Sequence, residues 1–282
     1  MTAIAANRLP EPGAAALRAR ARRENFPVAL TLLPRAQREH LMTLYGFARL
    51  ADDASDEAAG DRLALLNELD ADLHRLFAGV EPLHPALQRL ARSVRAMRLP
   101  EAPFRALVEA GRRDQWVLRY ASWPELRDYC ALSAEPVGRL VLHVFGAATP
   151  DRFAFSDDVC TALQLIEHCQ DVAEDLARGR LYLPAEDLAR FGCDERDLRA
   201  PAASPSVRAL LRFEVERARA LLDRGEPLVK TFSGRARLAV AGFVAGGRAA
   251  ADAIQRRGFD VLGGAPRPRR RDFLRRFAAA LV

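Results

Sequence analysis

The chain has 282 residues, half of them hydrophobic, which is enough for a large core and excludes a largely disordered protein. Its net charge is +6, carried by arginine because Lys230 is the only lysine, and such basicity suits anionic partners without choosing among nucleic acid, membrane surface and phosphorylated small molecules. Cys130, Cys160, Cys169 and Cys193 show no CxxC spacing, which argues against zinc and predicts reduced, packed thiols in a cytosolic protein.

Prolines punctuate the sequence, and the segments between them have helical length and period. The spacing predicts helices over residues 13–24, 35–58, 61–78, 84–98, 102–120, 124–147, 156–178, 204–224, 228–257 and 270–281, after a flexible N-terminus at 1–12. Period-2 runs are scarce, so the class is all-α. Connections are short and no Gly/Ser linker separates two cores, which favours a single domain over 1–282. Pro136, inside "YCALSAEPVGRLVLHVFG", predicts a kink. The glycines of "AGFVAGGRAA" follow no strand and read as close helix packing rather than a dinucleotide loop. No apolar run reaches the roughly 20 residues of a membrane-spanning helix, and the Ala- and Arg-rich start lacks the apolar stretch of a secretory signal.

Two stretches carry the chemistry. "YGFARLADDASDEAAG", from Tyr45 to Gly60, crowds Asp52, Asp53, Asp56 and Glu57 into six residues near a helix C-terminus, where like charges repel and the macrodipole disfavours them. Tyr45, Arg49, Asp52 and Asp56 advance by 4, 3 and 4 and share a face. In "ALQLIEHCQDVAEDLARGRLYLP", residues 162–184, Gln164, His168, Asp171, Asp175 and Arg178 do the same by 4, 3, 4 and 3. Each helix therefore bears a polar stripe containing a D-x-x-x-D pair. Two such stripes facing each other across a bundle would gather at least four carboxylates beside arginines. Oxygen ligands without thiolate suit Mg²⁺, bridged by one or two carboxylates and a substrate phosphate. The alternative is a solvated acidic face, which two pairs embedded in apolar helices make harder to sustain. The five histidines, His168 among them, read as packed or exposed helix residues rather than ligands.

At these residues the sequence resembles the squalene/phytoene synthase family of head-to-head prenyl transferases. "YGFARLADDASDE" is similar to that family's first aspartate-rich motif and "QDVAEDLARGRLYLP" to its second, with the likeness running from "ENFPVAL" to "GFDVL". It implies an isoprenoid-synthase helical bundle with a central cavity. Asp52, Asp56, Asp171 and Asp175 match metal-binding aspartates, with Asp53 their neighbour. Arg49, Arg178 and Arg180 fall at or beside basic positions for diphosphate, Tyr45, Tyr129 and Tyr182 at cavity or motif tyrosines, and Gln164 at a polar position of the motif. Glu167 stands where asparagine is usual and Gln170 where arginine is usual, removing one positive charge and adding one negative. "ENFPVALTLLP", "QDV" and the Pro136 stretch resemble the hydroxysqualene synthases of bacterial hopanoid pathways. That branch implies presqualene diphosphate as substrate, Mg²⁺-assisted loss of diphosphate and water capture, alongside a presqualene diphosphate synthase and a separate oxidoreductase as pathway partners. Glu24 and Asn25 replace the usual serine-rich segment; Asn25 would either position the capturing water or cap a helix.

Two other readings stay open: head-to-head condensation of two prenyl diphosphates, giving presqualene diphosphate or phytoene, and a non-catalytic assembly or scaffold relative. "APRPRRRDFLRRF" reads either as a peripheral contact with anionic lipid on the inner membrane face or as a solvated terminal helix, 266–282. No nucleic-acid recognition module is present in the pattern.

Overall fold

The computed structural model describes residues 9, 13–21, 24, 32–56 and 58–282. Asn25, Phe26, Glu57 and most of the expected flexible N-terminus lie outside the described residues. In chain order the helices are α1 (Ala14–Ala21), α2 (Arg35–Asp56), α3 (Arg62–Phe77), α4 (Pro85–Met97), α5 (Ala102–Arg113), α6 (Trp123–Ser133), α7 (Glu135–Val144), α8 (Pro150–Gln170), α9 (Val172–Ala177), α10 (Ala185–Arg190), α11 (Pro205–Gly225), α12 (Pro227–Lys230), α13 (Gly234–Arg256) and α14 (Arg270–Ala280). A 3₁₀ turn at Asp197–Arg199 precedes α11. The all-α class holds: among the described residues the β structure is one parallel bridge, Arg119 to Leu181.

Local chemistry sets the ends. Asp61 accepts the amide of Ala64 at the start of α3, Thr149 that of Arg152 in α8, and Ser204 that of Val207 in α11. Pro85, Pro150 and Pro205 follow their caps in the first turn, where a missing N–H costs nothing.

The chain forms two compact units, one from Met1–Glu24, Val28–Val117 and Pro136–Ala148, the other from Asn25–Pro27, Leu118–Glu135 and Thr149–Val282. In the first, α2 packs on α3, α4 and α5 through Leu44, Phe47, Leu50 and Ala54, whose spacing of three to four residues marks the buried face. Phe47 meets Phe104 of α5 edge-on, ring centroids 5.1 Å apart. In the second unit α8 lies along α11, and α13 packs on α8, α11, α12 and α14.

The α8–α11 contact is close because Gly225 permits it. A Cβ there would stand 2.7 Å from the Phe155 carbonyl oxygen and 2.6 Å from Val159 Cγ2, and backbone cannot yield as a side chain can. Gly225→Ala is therefore expected to cost about 2–3 kcal/mol. A thermal melt should show a fall of roughly 5–10 °C. Gly247 of α13 has the same role against Leu163, 2.7 Å from its would-be Cβ, so the glycine run is packing, as expected.

Four of the long expected helices are interrupted, that over 156–178 at Asp171. The segment expected over 102–120 ends at Arg113 because Leu118–Ala121 is extended: the Leu118, Tyr120 and Ala121 carbonyls accept the amides of Leu181, Ala185 and Glu186. Tertiary backbone pairing outweighs helical propensity there. The segment over 124–147 divides at Ala134 into α6 and α7, with Pro136 in the first turn of α7, so the proline marks a break rather than a kink. Ser233 and a left-handed Gly234 (φ 55°) separate α12 from α13.

Candidate active site

In the first unit the site residues line the C-terminal half of α2. No basic residue occupies its last turn, so the acids there oppose the helix dipole and draw their compensation from Arg49 one turn earlier and from Arg20 of α1. Asp53, expected among the metal ligands, turns inward. It is 4 % exposed, receives Arg20 Nη1 at 2.7 and 2.8 Å and Arg49 Nη2 at 3.1 Å, and so locks α1 and Arg49 onto α2. Asp52 points the other way: its side chain is 57 % exposed and touches Arg49 Nη1 at 3.3 Å. The carboxylates of Asp56, Asp53 and Asp114 repel its charge, against the pull of Arg49. Asp56 is half-buried, its Oδ1 accepting from Ser55 Oγ at 3.0 Å. Gln115, just beyond α5, donates to the Ser55 carbonyl at 3.1 Å and fixes this helix end.

Tyr45 donates to Glu24 Oε1 at 2.7 Å. Burial, then the adjacent Glu24 carboxylate, raises its pKa, so the phenol stays protonated.

In the second unit the acid pair straddles a bend. The helix expected over 156–178 starts at Pro150 and gives way at Asp171 to the short α9, which carries Asp175; the Asp175 amide still bonds the Asp171 carbonyl at 2.8 Å. Desolvation raises Asp171 to about 6 and Asp175 to about 7, and each is raised further by an acidic neighbour, Glu174 for Asp171 and Asp171 for Asp175, against Arg178. Arg178 pairs with Glu174 at 2.8 Å on the surface, whereas Arg180 is buried, its amide on the Asp175 carbonyl at 2.8 Å.

The same unit holds an aromatic cluster. Tyr182 stacks on His168, centroids 3.8 Å apart and planes at 12°, and lies 5.5 Å from Tyr129 and 5.9 Å from Tyr120. Gln164 Nε2 sits 3.4 Å from His168 Nε2. Burial drives the His168 pKa down to about 3, so the imidazole is neutral at any physiological pH. His168 and Tyr120 are the members that sequence reasoning did not place. The helical spacing from Gln164 to Asp171 marked His168, but nothing in the pattern marked Tyr120.

Support comes from beneath. Arg217 of α11 lies over the rings of Trp123 and Phe213 (4.8 and 4.6 Å) and bridges the buried carboxylates of Glu214 and Asp187 at 2.5 and 2.8 Å. This ties α10, directly after the Arg180–Tyr182 segment, to α11. Gln170 is buried and its Nε2 donates to the Pro266 carbonyl at 2.5 Å, which ties the C-terminal segment to the end of α8. All four cysteines are free, and three are buried.

Among the described residues no three carboxylates, imidazoles or thiolates converge into an all-protein metal cage. Mg²⁺ does not ask for one, since it keeps several waters and takes one or two carboxylates together with substrate phosphate. The donor set fits that requirement: oxygen only, in closely spaced carboxylate pairs, with Asp171 and Asp175 partly desolvated.

A helical protein with D-x-x-x-D pairs on two helices belongs with the isoprenoid synthases, and the comparisons agree. The squalene/phytoene synthase family pattern matches residues 19–275. A hydroxysqualene synthase of Rhodopseudomonas palustris is 35% identical over 211 residues, 73% of this chain and 70% of that protein. A presqualene diphosphate synthase of the same organism is 35% identical over 212 residues, 74% of this chain and 75% of that protein. The crystal structure of squalene synthase HpnC from Alicyclobacillus acidocaldarius superimposes with a TM-score of 0.76 at 44% identity, covering 81% of this chain and 86% of that one. The chain belongs to the squalene/phytoene synthase family.

Proposed function

We propose that the protein ionises presqualene diphosphate in a Mg²⁺-dependent reaction and adds water to the rearranged cation, releasing hydroxysqualene and diphosphate. The observation that carries this reading is the pair of D-x-x-x-D rows, Asp52 and Asp56 on α2 and Asp171 and Asp175 at the α8–α9 bend, each beside an arginine. In the first unit Asp52 and Asp56, and in the second Asp171 and Asp175, are the carboxylates that would hold Mg²⁺, while Asp53 stays in its ion pairs and keeps Arg49 in place. Bound Mg²⁺ supplies Lewis-acid stabilisation of the departing diphosphate. Arg49, Arg178 and Arg180 bind its outer oxygens through charge-assisted hydrogen bonds.

The carbon–oxygen bond breaks and its electron pair leaves with the diphosphate. The cyclopropylcarbinyl cation opens and rearranges, water adds through oxygen, and the proton is lost to solvent; no reductant is consumed. The Tyr120–Tyr129–Tyr182 cluster offers π faces to such a cation. His168 suits this setting because it is uncharged, and an imidazolium there would oppose the developing charge.

A second reading, condensation of two prenyl diphosphates, is favoured by the equal 35% identity to a presqualene diphosphate synthase. Purified protein incubated with Mg²⁺ and either presqualene diphosphate or farnesyl diphosphate separates the two by mass spectrometry of the extract. Hydroxysqualene from the first substrate and nothing from the second is the expected result; turnover of farnesyl diphosphate alone supports condensation instead. Chelation of Mg²⁺ should abolish turnover.

A further inference from the structure

We infer that the outer face of α14 docks on an anionic lipid bilayer. The helix is amphipathic in the inverted sense. Its inward residues are charged: Asp272, 7 % exposed, receives Arg256 at 2.7 Å, and Arg276 makes a two-point contact with the buried Asp252 of α13 at 2.7 and 2.8 Å. Its outward side carries an apolar stripe beside Arg275, which is exposed and paired with Asp252. Leu274 is 53 % exposed and Ala278 is exposed one turn further on. Phe273 and Phe277, stacked 5.9 Å apart and half-buried, flank this stripe.

At the N-terminal end of the stripe stand Arg267, Arg269, Arg270 and Arg271, all exposed and with no carboxylate partner among the described residues. An apolar stripe headed by uncompensated arginines matches a surface with acyl chains below and anionic headgroups above. The Gln170–Pro266 hydrogen bond straps the segment leading into α14 to the helix end that bears Asp171, so docking would hold the second acid pair near the source of an apolar C30 substrate. Among the described residues no helix is long and apolar enough to cross a membrane, so the contact is peripheral.

The full chain should co-sediment with vesicles of phosphatidylcholine containing about one-third phosphatidylglycerol and not with phosphatidylcholine alone, an effect that weakens with salt. Arg270→Gln with Arg271→Gln should lose about 30-fold in vesicle affinity, each charge being worth about fivefold. Leu274→Glu should lose at least about tenfold. Both variants should retain the helical circular-dichroism signal and turn over detergent-dispersed substrate as the parent does. Absence of preference for anionic vesicles, or undiminished binding by both variants, overturns the proposal. So does a dimer that Leu274→Glu dissociates in a chain that ignores vesicles. Vesicle binding needs neither substrate nor Mg²⁺, so its failure leaves the proposed reaction untouched.

Discussion

Asp171→Asn is expected to lower kcat by roughly a thousandfold or more while leaving the helical circular-dichroism signal intact. Lewis-acid stabilisation of a leaving diphosphate is worth several kcal/mol, and each 1.36 kcal/mol, about one power of ten, is lost with the metal that supplies it. The substitution also removes the acidic neighbour that raises Asp175, so the variant should be no less stable without metal. Relief of like-charge repulsion of about 0.2–0.5 kcal/mol should lift Tm by about 1 °C. Activity and stability moving in opposite directions is the mark of a binding carboxylate. A folded Asp171→Asn enzyme with full turnover would contradict the assignment.

Magnesium affinity should depend steeply on pH. With Asp175 at about 7 and Asp171 at about 6 in the metal-free protein, protons occupy these carboxylates in mildly acidic solution and Mg²⁺ must displace them. Affinity should therefore rise with pH by about tenfold per unit for each proton displaced, up to about pH 7, and level off beyond about pH 8. Calorimetric titrations in buffers of different ionisation heat should register proton release in the rising range and none on the plateau. The sign for stability follows. These folded-state pKa values lie above the unfolded value, so the native state binds more protons between about pH 4 and 7. The contribution of these two groups to the stability of the metal-free protein is thus full below that window and lost as pH rises through it. Mg²⁺ with diphosphate should restore it at alkaline pH. Proton-independent Mg²⁺ binding would show that other groups hold the ion.

Most of the helical class was legible because apolar spacing and capping residues act locally. Both acid rows were legible for the same reason, since Asp52 and Asp56, or Asp171 and Asp175, need only helical geometry to share a face. What the pattern could not carry were partners distant in sequence. Asp53 looks like its neighbours until Arg20, 33 residues away, claims its carboxylate. Gln170 reads as a charge missing from the diphosphate site until its amide is found on Pro266, 96 residues on. The bend at Asp171 has no glycine or proline to announce it. The early end of α5 follows from backbone pairing between residues 118–121 and 181–186, which no local propensity encodes. His168 lay on the predicted polar stripe yet is an apolar-site imidazole, because burial and the Tyr182 ring decide its state rather than its spacing.

The central claim is that presqualene diphosphate loses diphosphate and the resulting cation is captured by water. Running the presqualene diphosphate reaction with Mg²⁺ in water enriched in heavy oxygen tests it directly. The account predicts hydroxysqualene whose alcohol oxygen carries the solvent label in proportion to its enrichment, with unlabelled carbon skeleton. An alcohol bearing unlabelled oxygen, or a hydrocarbon product with no oxygen at all, would contradict it.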